Sequence, residues 1–431
     1  MLIYEEILNE IHQIPRRKKE VTLAKMHRLM ALLGHPEQSI PMIHVAGTNG
    51  KGSICKMMAE VIKNSGYQVG LFTSPYIVDF RERIQINGNL IPKESIIEYY
   101  TKIKEKIIIL EEEGFSPPSE FEVVTAMGFM HFSQVKVDVA IIEVGVGGLN
   151  DATNIINPIL SVIASITKDH TAQLGNSITS IAKHKAGIIK GSPVVSTSQL
   201  PEARKVLFEK ANEVNSELEF LQSREVKYIN YSHGKQNVYY DFKINPIEIE
   251  LSLLGIHQMF NAGTAILALR KLKSMGFSKI MDSIIKSSLS KVSWPGRMEM
   301  ISFSPLIIID GAHNLDGAIS LKESLELYFP RRKMILILGV LKDKEPKSLM
   351  EVLMKNTKKT LFITPNDPRA LKAEELKSWS HVKESSEVVG SMDKAVDMAL
   401  SLCEEEDLII AAGSLYTIAE YMKMFRKSLH K

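Results

Sequence analysis

The stretch HVAGTNGKGS, residues His44–Ser53, follows a short apolar run and precedes the helical pattern ICKMMAEVIKNSG. A glycine-rich loop between a buried strand and a helix is typical of a phosphate-binding loop. The loop departs from the usual G-x-x-x-x-G-K-[ST] pattern at two positions. Val45 stands where the first glycine is expected, and Gly52 separates Lys51 from the hydroxyl of Ser53. The departures raise the question whether this is a variant of the same loop.

Such a loop needs free backbone N–H groups, a lysine near the phosphate oxygens and a hydroxyl for Mg²⁺. The glycines of the stretch supply backbone freedom, and Lys51 supplies the positive charge. Either Ser53 or Thr48 could supply the hydroxyl. The alternative is a plain glycine-rich turn with an exposed lysine, which the strand-to-helix context disfavours.

Further apolar runs that follow this loop predict a parallel β-sheet. YQVGLFTSP, VDVAIIEVGVGG and ILSVIASITKDH are nearly continuous apolar strands, and the last is predicted to end at Asp169-His170. Strands of this kind, separated by helices, indicate a sheet covered on both faces. Ligands bind beyond the C-terminal ends of such strands. The polar residues at those ends are Lys51, Ser53, Thr73, Ser74, Glu143, Asp169 and His170.

A second series of strands follows SWPGRMEM and predicts a smaller α/β domain of five or six strands. Its strands are PLIIIDGAHN, KMILILGVLKD, TLFITPND and DLIIAAGS. Pro295-Gly296 breaks any continuing helix, so the predicted domains are residues 1–296 and 297–431. The polar region at about 215–250 predicts antiparallel strands appended to the first domain.

The composition is that of an ordinary globular protein: 431 residues, 45% hydrophobic, with a formal net charge of +3. This charge gives no sign of a nucleic-acid partner, and the basic run Arg16-Arg17-Lys18-Lys19 predicts a solvated helix end. The two cysteines match no metal or disulfide pattern, which favours a reducing compartment. We find no signal peptide and no apolar stretch of membrane-spanning length, so we expect a soluble, cytoplasmic protein.

Three residues of the first domain are candidates for metal or phosphate chemistry. Glu143 ends a buried strand and precedes a run rich in glycine, which suits a metal ligand beside phosphates, although a helix cap would look the same. His170 lies at the next strand end, yet a lone histidine is more often structural, and Mg²⁺ prefers oxygen ligands. Lys185 in HKAGIIKG, taken by itself, is an ordinary helix lysine.

Four residues further along the chain are weaker candidates. Asn261 in GIHQMFNAGTA could read an adenine edge or a phosphate, and Arg297 in WPGRMEM is a fork-shaped phosphate partner. Asp310 and His313 in DGAHN follow the first strand of the predicted second domain.

Taken together, these stretches resemble the Mur ligase superfamily, and within it the folylpolyglutamate synthase/dihydrofolate synthase family. The resemblance runs from about residue 20 to the C-terminus. It rests on an ordered series of motifs: HVAGTNGKGS, GLFTSPY, ERIQING, FEVVTAMGF, EVGVGG..DATN, DHTAQLG, KAGIIK, GIHQMFNA, PGRMEM, DGAHN, GVLKDKEP and AAGSLY. It implies a P-loop ATPase domain with a parallel sheet and a small antiparallel appendage, plus a smaller Rossmann-like C-terminal α/β domain.

The resemblance also implies a reaction. Such enzymes use ATP to convert a carboxylate into an acyl phosphate, which the amine of L-glutamate then attacks. The implied phosphate and nucleotide ligands are Thr48, Asn49, Gly50, Lys51, Gly52, Ser53, Asn261, Arg297 and Asp310. The implied Mg²⁺ ligands, for two sites, are Ser53, Ser74, Glu143, His170 and Lys185.

Lys185 would be carbamylated by CO₂ in such an enzyme, which turns a cation into an anion beside the metal. His313 would lie near the γ-phosphate and, with Lys51 and Lys185, would be catalytic. The second domain would close over ATP. A monovalent cation belongs to the same implied set of cofactors.

The acceptor is implied to be a folate or pteroate, contacted by Phe121, Glu122, Leu149 and Asp151. The protein would act as a monomer, without nucleic-acid or membrane partners.

Departures from the family pattern cluster near the expected acceptor. The family's glycine loop usually continues with Arg-Leu, where this chain has Leu149 and Asn150. His184 replaces the usual glutamate before the modified lysine, and Thr167-Lys168 replaces a small residue before the metal histidine. Three hypotheses therefore stay open: a folate ligase for one or both glutamylation reactions, a related ligase for another carboxylate, and a non-catalytic ATP-binding protein. A GTPase is disfavoured because we find no N-K-x-D guanine signal.

Overall fold

The computed structural model describes residues 3–15, 23–342 and 346–429, apart from the side chain of Tyr416. Contacts group the chain into two compact units. The first comprises Met1–Val226, Tyr240–Ile247 and Phe260–Leu289, and the second Lys227–Tyr239, Glu248–Met259 and Ser290–Lys431. This division differs from the predicted domains 1–296 and 297–431. The predicted helix end at Arg16-Arg17-Lys18-Lys19 lies outside the described residues.

The first unit is built on an eight-stranded sheet, ordered β4-β3-β2-β5-β1-β6-β7-β8. Its strands are β1 (Met42–Ala46), β2 (Val69–Phe72), β3 (Ile84–Ile86), β4 (Asn89–Leu90), β5 (Val139–Glu143), β6 (Leu160–Ile163), β7 (Val194–Ser196) and β8 (Leu218–Phe220). The six strands from β2 to β8 in this order are parallel, and β3 and β4 add an antiparallel edge. Every residue of β1 and β5 is buried, as their continuous apolar sequences predict.

The helices of the first unit are α1 (Tyr4–Gln13), α2 (Ala24–Leu32), α3 (Lys51–Asn64), α4 (Lys93–Glu112), α5 (Glu120–Val135), α6 (Thr171–Leu174), α7 (Ile178–Ala186), α8 (Pro201–Glu213), most of α9 (Ile256–Ser274) and α10 (Asp282–Leu289). The first turn of α9, up to Met259, belongs to the second unit. One apolar cluster joins α1, α2, α4 and α5 to β2, and another joins α7 and α8 to β6 and β7. None of the helices in the described ranges is long and apolar enough to span a membrane.

The second unit contains a six-stranded sheet, in agreement with the predicted smaller α/β domain. The remaining strands of the chain are β9 (Val226–Ser232), β10 (Lys235–Tyr240), β11 (Ile247–Leu251), β12 (Glu299–Phe303), β13 (Leu306–Ile309), β14 (Lys333–Leu338), β15 (Thr357–Phe362), β16 (Ser386–Val388) and β17 (Asp407–Ala412). The sheet order is β12-β13-β17-β14-β15-β16, parallel except for β12. Its helices are α11 (Leu315–Tyr328), α12 (Pro346–Leu353), α13 (Ala373–Trp379), α14 (Met392–Leu402) and α15 (Leu415–Leu429).

The predicted antiparallel appendage is present as the sheet β11-β10-β9, but most of it packs with the second unit rather than with the first. A two-residue turn, with positive φ at both His233 and Gly234, joins β9 and β10 as a hairpin. The ring of Tyr231 contacts that of Tyr328 at 5.2 Å between centroids. The side chain of Gln236 donates to the carbonyl of Leu253 and accepts from Tyr328. These contacts explain the assignment, which the polar sequence of the hairpin did not indicate.

β6 ends at Ile163, so the prediction that this strand reaches Asp169-His170 was wrong. Beyond Ile163, Ser165 forms an isolated bridge with Asn49 in place of a continued strand. An apolar run such as VIASIT does not indicate where the neighbouring strands that pair with it end.

Candidate active site

Three neighbouring parallel strands end at the same edge of the first unit's sheet. β1 lies between β5 and β6, with Val45 level with Glu143 and with Val162. The C-terminal ends therefore carry the glycine loop, Glu143 and the segment Ser165–His170 together, as the sequence predicts. Such an edge is where α/β sheets bind ligands.

The glycine loop occupies only residues 47–50, because β1 continues through Ala46 and α3 begins at Lys51. Val45 is therefore a buried strand residue, which explains why the first glycine of the usual pattern is missing. Gly50 precedes the helix with φ of 90°, a conformation that favours glycine. The N–H groups of the first turn of a 14-residue helix make this loop a site for anions.

Two lysines share one carbonyl oxygen of the loop. Nζ of Lys51 donates to the carbonyls of Gly47 at 3.2 Å and Thr48 at 3.3 Å. Nζ of Lys185 donates to the same Gly47 carbonyl at 2.6 Å. The structure thus brings the two predicted catalytic lysines together at the loop, although 133 positions separate them in the sequence.

Lys185 is only 3% exposed, and its environment favours the neutral amine. Burial is the largest cause that lowers the pKa of Lys185 well below its ordinary value, and the charge of Lys51 lowers it further. The charges of Asp169 and Asp151 have the opposite effect and raise the pKa of Lys185. A neutral amine is nucleophilic, so this lysine is not an ordinary solvated helix residue.

The hydroxyl of Thr48 is hydrogen-bonded to a neighbouring segment. It donates to the carbonyl of Thr167 at 2.9 Å and accepts from the N–H of Thr167 at 3.1 Å. Of the two hydroxyls considered for Mg²⁺, Ser53 is therefore the better candidate. Ser53 lies buried in the first turn of α3, two residues after Lys51.

Asn261 lies on α9 against the glycine loop. It is 4% exposed, and a Cβ atom added to Gly50 would overlap its side-chain oxygen. Both residues belong to the first unit. The structure therefore places this predicted nucleotide ligand directly beside the helix N-terminus.

We expect Gly50→Ala to weaken ATP binding about ten- to a hundredfold without unfolding the protein, because strain at such a position is worth about 1–3 kcal/mol. The added methyl group faces both the positive φ and the side chain of Asn261. Isothermal titration calorimetry with a non-hydrolysable ATP analogue measures the effect. Gly66→Ala is the matched control, since Gly66 has a similar φ of 80° and nothing within 4 Å of the added atom. Equal affinities for the parent and Gly50→Ala would contradict the assigned loop geometry.

Glu143 and Ser74 are also brought together. Glu143 is 4% exposed at the end of β5, and its carboxylate accepts the backbone N–H of Ser74 at 3.0 Å. His170 is exposed, immediately precedes the short helix α6, and has a left-handed φ of 51°. Within the described ranges, no group of three or more His, Cys, Asp or Glu residues could hold a metal ion. A cation here would take one carboxylate, hydroxyls and phosphate oxygens, which is the usual pattern for Mg²⁺.

Two of the predicted acceptor residues have structural contacts on α5. The Phe121 ring packs against Phe72, with centroids 6.0 Å apart. The carboxylate of Glu122 accepts from the N–H and hydroxyl of Ser119 at 2.7 and 2.8 Å, and it forms an ion pair with Lys25 at 3.1 Å. Glu122 thus completes the capping box of α5. Their role in acceptor binding stays a prediction.

Asp151 and Leu149 differ in what their side chains can offer to an acceptor. The Asp151 carboxylate is buried and accepts from the N–H of Val146 at 2.9 Å and the Thr153 hydroxyl at 2.6 Å. Burial raises the pKa of Asp151, whereas these hydrogen bonds lower it. Leu149 is 46% exposed and lines a cavity of about 530 Å³ together with His27 and Lys190. Leu149 is therefore the more accessible of the two side chains.

His44 is a buried group below the loop that the sequence analysis did not select. Nε2 of His44 lies 2.8 Å from the Thr153 hydroxyl, whose proton is donated to Asp151. His44 therefore donates through Nε2–H, and Nδ1 has no hydrogen-bond partner among the described residues. Burial is the main cause that lowers the pKa of His44 to about 3. A histidine inside a wholly apolar strand is the sequence signal that could have identified it.

We expect acid to destabilise the protein through His44. Between its ordinary pKa of 6.5 and its folded pKa of about 3, the unfolded chain binds a proton that the folded chain excludes. Stability should therefore fall as the pH drops through this window, by about 2 kcal/mol at about pH 5. Thermal melts of His44→Gln should show a flatter dependence on pH than the parent. The exposed His27→Gln is the control, and an unchanged slope in His44→Gln would refute the prediction.

The second unit has its own cluster around Arg297. The buried carboxylate of Asp310 accepts the N–H of Met298 and that of Ala312, both at 2.7 Å. Burial raises the pKa of Asp310 and the charge of Arg297 lowers it. Asp310 thereby fixes the backbone next to Arg297. Nδ1 of His313 lies 2.8 Å from the carbonyl of Gly311.

His257 is a second residue that the sequence analysis did not select, although it lies in the motif GIHQMFNA. Its Nδ1 is 2.7 Å from the hydroxyl of Ser320. Burial, assisted by the charge of Arg297, lowers the pKa of His257 to about 4, so this histidine is neutral near pH 7.

Comparison with known proteins yields matches over both units. The model of the Mur ligase middle domain matches residues 45–269, and that of the Mur ligase glutamate ligase domain matches residues 296–415. The chain is 35% identical to a dihydrofolate synthase/folylpolyglutamate synthase of Bacillus subtilis, over 98% of this chain and 99% of the relative. It is also 35% identical to a folylpolyglutamate synthase of Lacticaseibacillus casei, over 96% of each. The structure of a Mycobacterium tuberculosis folylpolyglutamate synthase complexed with ADP and AMPPCP superimposes with a TM-score of 0.87 at 30% identity, covering 98% of both chains.

Proposed function

Because the chain belongs to the folylpolyglutamate synthase/dihydrofolate synthase family of Mur ligases, we propose that it joins L-glutamate to a folate-type carboxylate at the expense of ATP. The observation that carries this proposal is the glycine loop at the start of α3, with Lys51 and Lys185 on the carbonyl of Gly47. A loop of that kind binds an anion, and the relatives are ligases for this chemistry.

The reaction proceeds in two steps. A carboxylate oxygen of the acceptor attacks the γ-phosphorus of ATP, ADP leaves, and an acyl phosphate forms. The amine of glutamate then attacks the acyl carbon, phosphate leaves, and an amide bond results. Transfer of a phosphoryl group depends mostly on positioning and on neutralising charge. At the loop, Lys51 and the N–H groups of Asn49 to Gly52 position the phosphates and neutralise their charge.

We propose that Mg²⁺ binds at two positions beside this loop. Ser53, Ser74, Glu143 and His170 would hold it, together with a modified Lys185. The buried carboxylate of Glu143 and the hydroxyls fit a hard cation. When bound, Mg²⁺ neutralises charge on the phosphate oxygens. A monovalent cation is a further proposed cofactor, and a potassium titration of activity tests it.

Lys185 is proposed to be a carbamate in the active enzyme. The neutral amine adds to the carbon of CO₂, loses a proton and becomes an anion. Its lowered pKa supports this reaction near neutral pH, because a protonated amine has no free electron pair. The product would put an anionic oxygen ligand for a metal in the place of the buried neutral amine.

The nucleotide contacts of the second unit are proposals of the same kind. Arg297 would bind phosphate or ribose oxygens, Asp310 would fix its backbone, and His313 would act near the γ-phosphate. Asn261 would contact the nucleotide from its place beside Gly50.

A glutamate-dependent ADP-release assay tests the proposed function. The purified protein is supplied with ATP, Mg²⁺ and glutamate, and with dihydropteroate, tetrahydrofolate or an unrelated carboxylate as acceptor. We expect ADP release only when glutamate and a pteroyl acceptor are both present. Activity with dihydropteroate, tetrahydrofolate or both decides between one function and two.

A second candidate function is the same ligation on a non-folate carboxylate. The exposed Leu149 in its cavity, with Asn150 and His184, favours this alternative, because the family usually carries other residues there. Turnover only with unrelated carboxylates would establish it and would exclude the folate reaction. ATP binding without turnover on any acceptor would instead indicate a non-catalytic protein.

We further propose a cytoplasmic monomer without nucleic-acid or membrane partners. Both cysteines, Cys55 and Cys403, are free thiols, in keeping with a reducing compartment. Light scattering during size-exclusion chromatography tests the monomer.

A further inference from the structure

A short segment after β6 packs against the glycine loop. Residues 164–166 follow the last strand residue, Ile163. The side-chain amide of Gln199 binds one edge of this segment: its Nε2 donates to the carbonyl of Ala164 at 2.8 Å, and its Oε1 accepts the N–H of Ile166 at 3.1 Å.

This pair of hydrogen bonds lies just beyond the end of the β6–β7 pairing. In a regular strand, the N–H and C=O of one residue face the same neighbouring strand, and those of the next residue face the other side. The regular pairing stops at Ile163 with Ser196, and Thr197 still donates to the carbonyl of Ile163 at 3.0 Å. The carbonyl of Ala164 also faces this side, so the strand alternation breaks at Ala164, and the Gln199 amide binds the backbone where the regular pairing has ended. Its Nε2 also donates to the hydroxyl of Ser196 at 3.2 Å, which ties the side chain to the end of β7.

The glycine loop binds the opposite edge of the same segment. The N–H of Thr48 donates to the carbonyl of Ser165 at 2.6 Å, and Asn49 forms a bridge with Ser165. Gly47 packs so closely on Ala164 that an added Cβ would lie 2.6 Å from the Ala164 Cβ. The Gly47 carbonyl accepts hydrogen bonds from Lys51 and Lys185, and its position therefore depends on this segment.

We propose that Gln199 is a positioning residue for the phosphate loop. It acts through the backbone of residues 164–166, which it holds in the conformation that Thr48 and Asn49 bind. The proposal rests on the proposed function for its catalytic consequence. Its structural consequence, a loop that loosens when the amide is lost, holds for the protein without nucleotide.

The test compares Gln199→Ala and Gln199→Met with the parent. Hydrogen exchange of peptides that cover residues 44–53 and 160–169, measured without nucleotide, should become about thirtyfold faster in both variants, since the two hydrogen bonds to the segment, of about 1 kcal/mol each, are lost. The Kd for an ATP analogue should rise about tenfold, while KM for glutamate stays unchanged. Gln222→Ala is the matched control, because Gln222 is a half-buried glutamine that donates to a backbone carbonyl, that of Phe220, away from the loop.

The Met variant separates hydrogen bonding from packing, because methionine has a similar length but no amide. Exchange and Kd at the parent's values in Gln199→Met would overturn the proposal. So would faster exchange that is equal in Gln222→Ala. If Gln199→Ala does not fold, Gln199→Glu retains the acceptor for Ile166 alone and should give an intermediate effect. Exchange that responds as expected in a protein that binds no ATP would sustain the positioning role and refute the proposed function.

Discussion

Replacing Lys51 with alanine is expected to lower kcat about a thousandfold, the larger of the usual losses when one charge-stabilising group is removed. Lys51 is the first residue of α3, and its ammonium group lies on the carbonyls of Gly47 and Thr48. Charge spreads over the transferring phosphoryl oxygens during the reaction, and a lysine at the loop neutralises that charge. Folding should be unaffected, because the side chain is at the surface of the loop and leaves no cavity.

Steady-state ADP release with saturating ATP, glutamate and acceptor measures this loss. Lys56→Ala is the matched control: Lys56 is on the same helix, five residues later, and pairs with Glu60 at 3.2 Å. The control should keep kcat within about twofold, since an ion pair between residues four apart on a helix contributes only about 0.3–0.5 kcal/mol. If Lys51→Ala retained a tenth or more of the parent's kcat, this lysine would have no part in phosphoryl transfer.

Lys185→Ala is expected to lower kcat about a hundred- to a thousandfold, and added formate or acetate should restore part of the activity. The substitution removes a group that is 3% exposed and leaves room for a small carboxylate. Such an anion would stand in for the oxygens of the proposed carbamate. Lys185→Arg should be as inactive and should not respond to acetate, because the guanidinium fills the space and cannot add to CO₂.

The carbamate itself is detectable by ¹³C NMR of protein equilibrated with labelled bicarbonate. A carbamate resonance should be present in the parent and in Lys183→Ala, whose lysine is exposed on the same helix, and absent from Lys185→Ala. The sign of the pH dependence follows from the lowered pKa of Lys185: the signal should persist near neutral pH and weaken in acid, as the amine becomes protonated. A parent protein without the resonance, but with full activity in CO₂-free buffer, would show that the amine acts unmodified.

The sequence could predict the parts of the molecule in which local pattern and tertiary context agree. The strand β1, the loop and α3 follow from an apolar run, glycines and a helical pattern, and the structure confirms them. The end of β6 could not be predicted, because it depends on where β7 stops and on an amide from Gln199. Nor could the sequence indicate that most of the appended hairpin groups with the second unit, since its partner Tyr328 is distant in the sequence.

The sequence could predict which residues form the candidate site, but it could not predict what each side chain does there. The motifs selected Lys185, yet only the fold indicates that it is buried and shares a carbonyl with Lys51. Thr48 and Ser53 were equal candidates in the sequence, and the bond from Thr48 to Thr167 favours Ser53. Glu122 and Asp151 were selected as acceptor ligands, but their carboxylates are bound to Ser119 and to the 145–153 loop. The local sequence does not indicate a hydrogen bond to a residue that is far away along the chain.

The contacts of Leu149 have a consequence for redesign of the enzyme. Its backbone N–H is fixed by the carbonyl of His184 at 2.7 Å, and Gly187 packs against its Cα, while its side chain is 46% exposed in the cavity. The backbone therefore holds this position whichever side chain it carries. On the proposed acceptor role of Leu149, we expect a library randomised at residue 149 to change acceptor preference with little loss of expression. A library randomised at the buried Asp151 is expected to lose most of its members to misfolding.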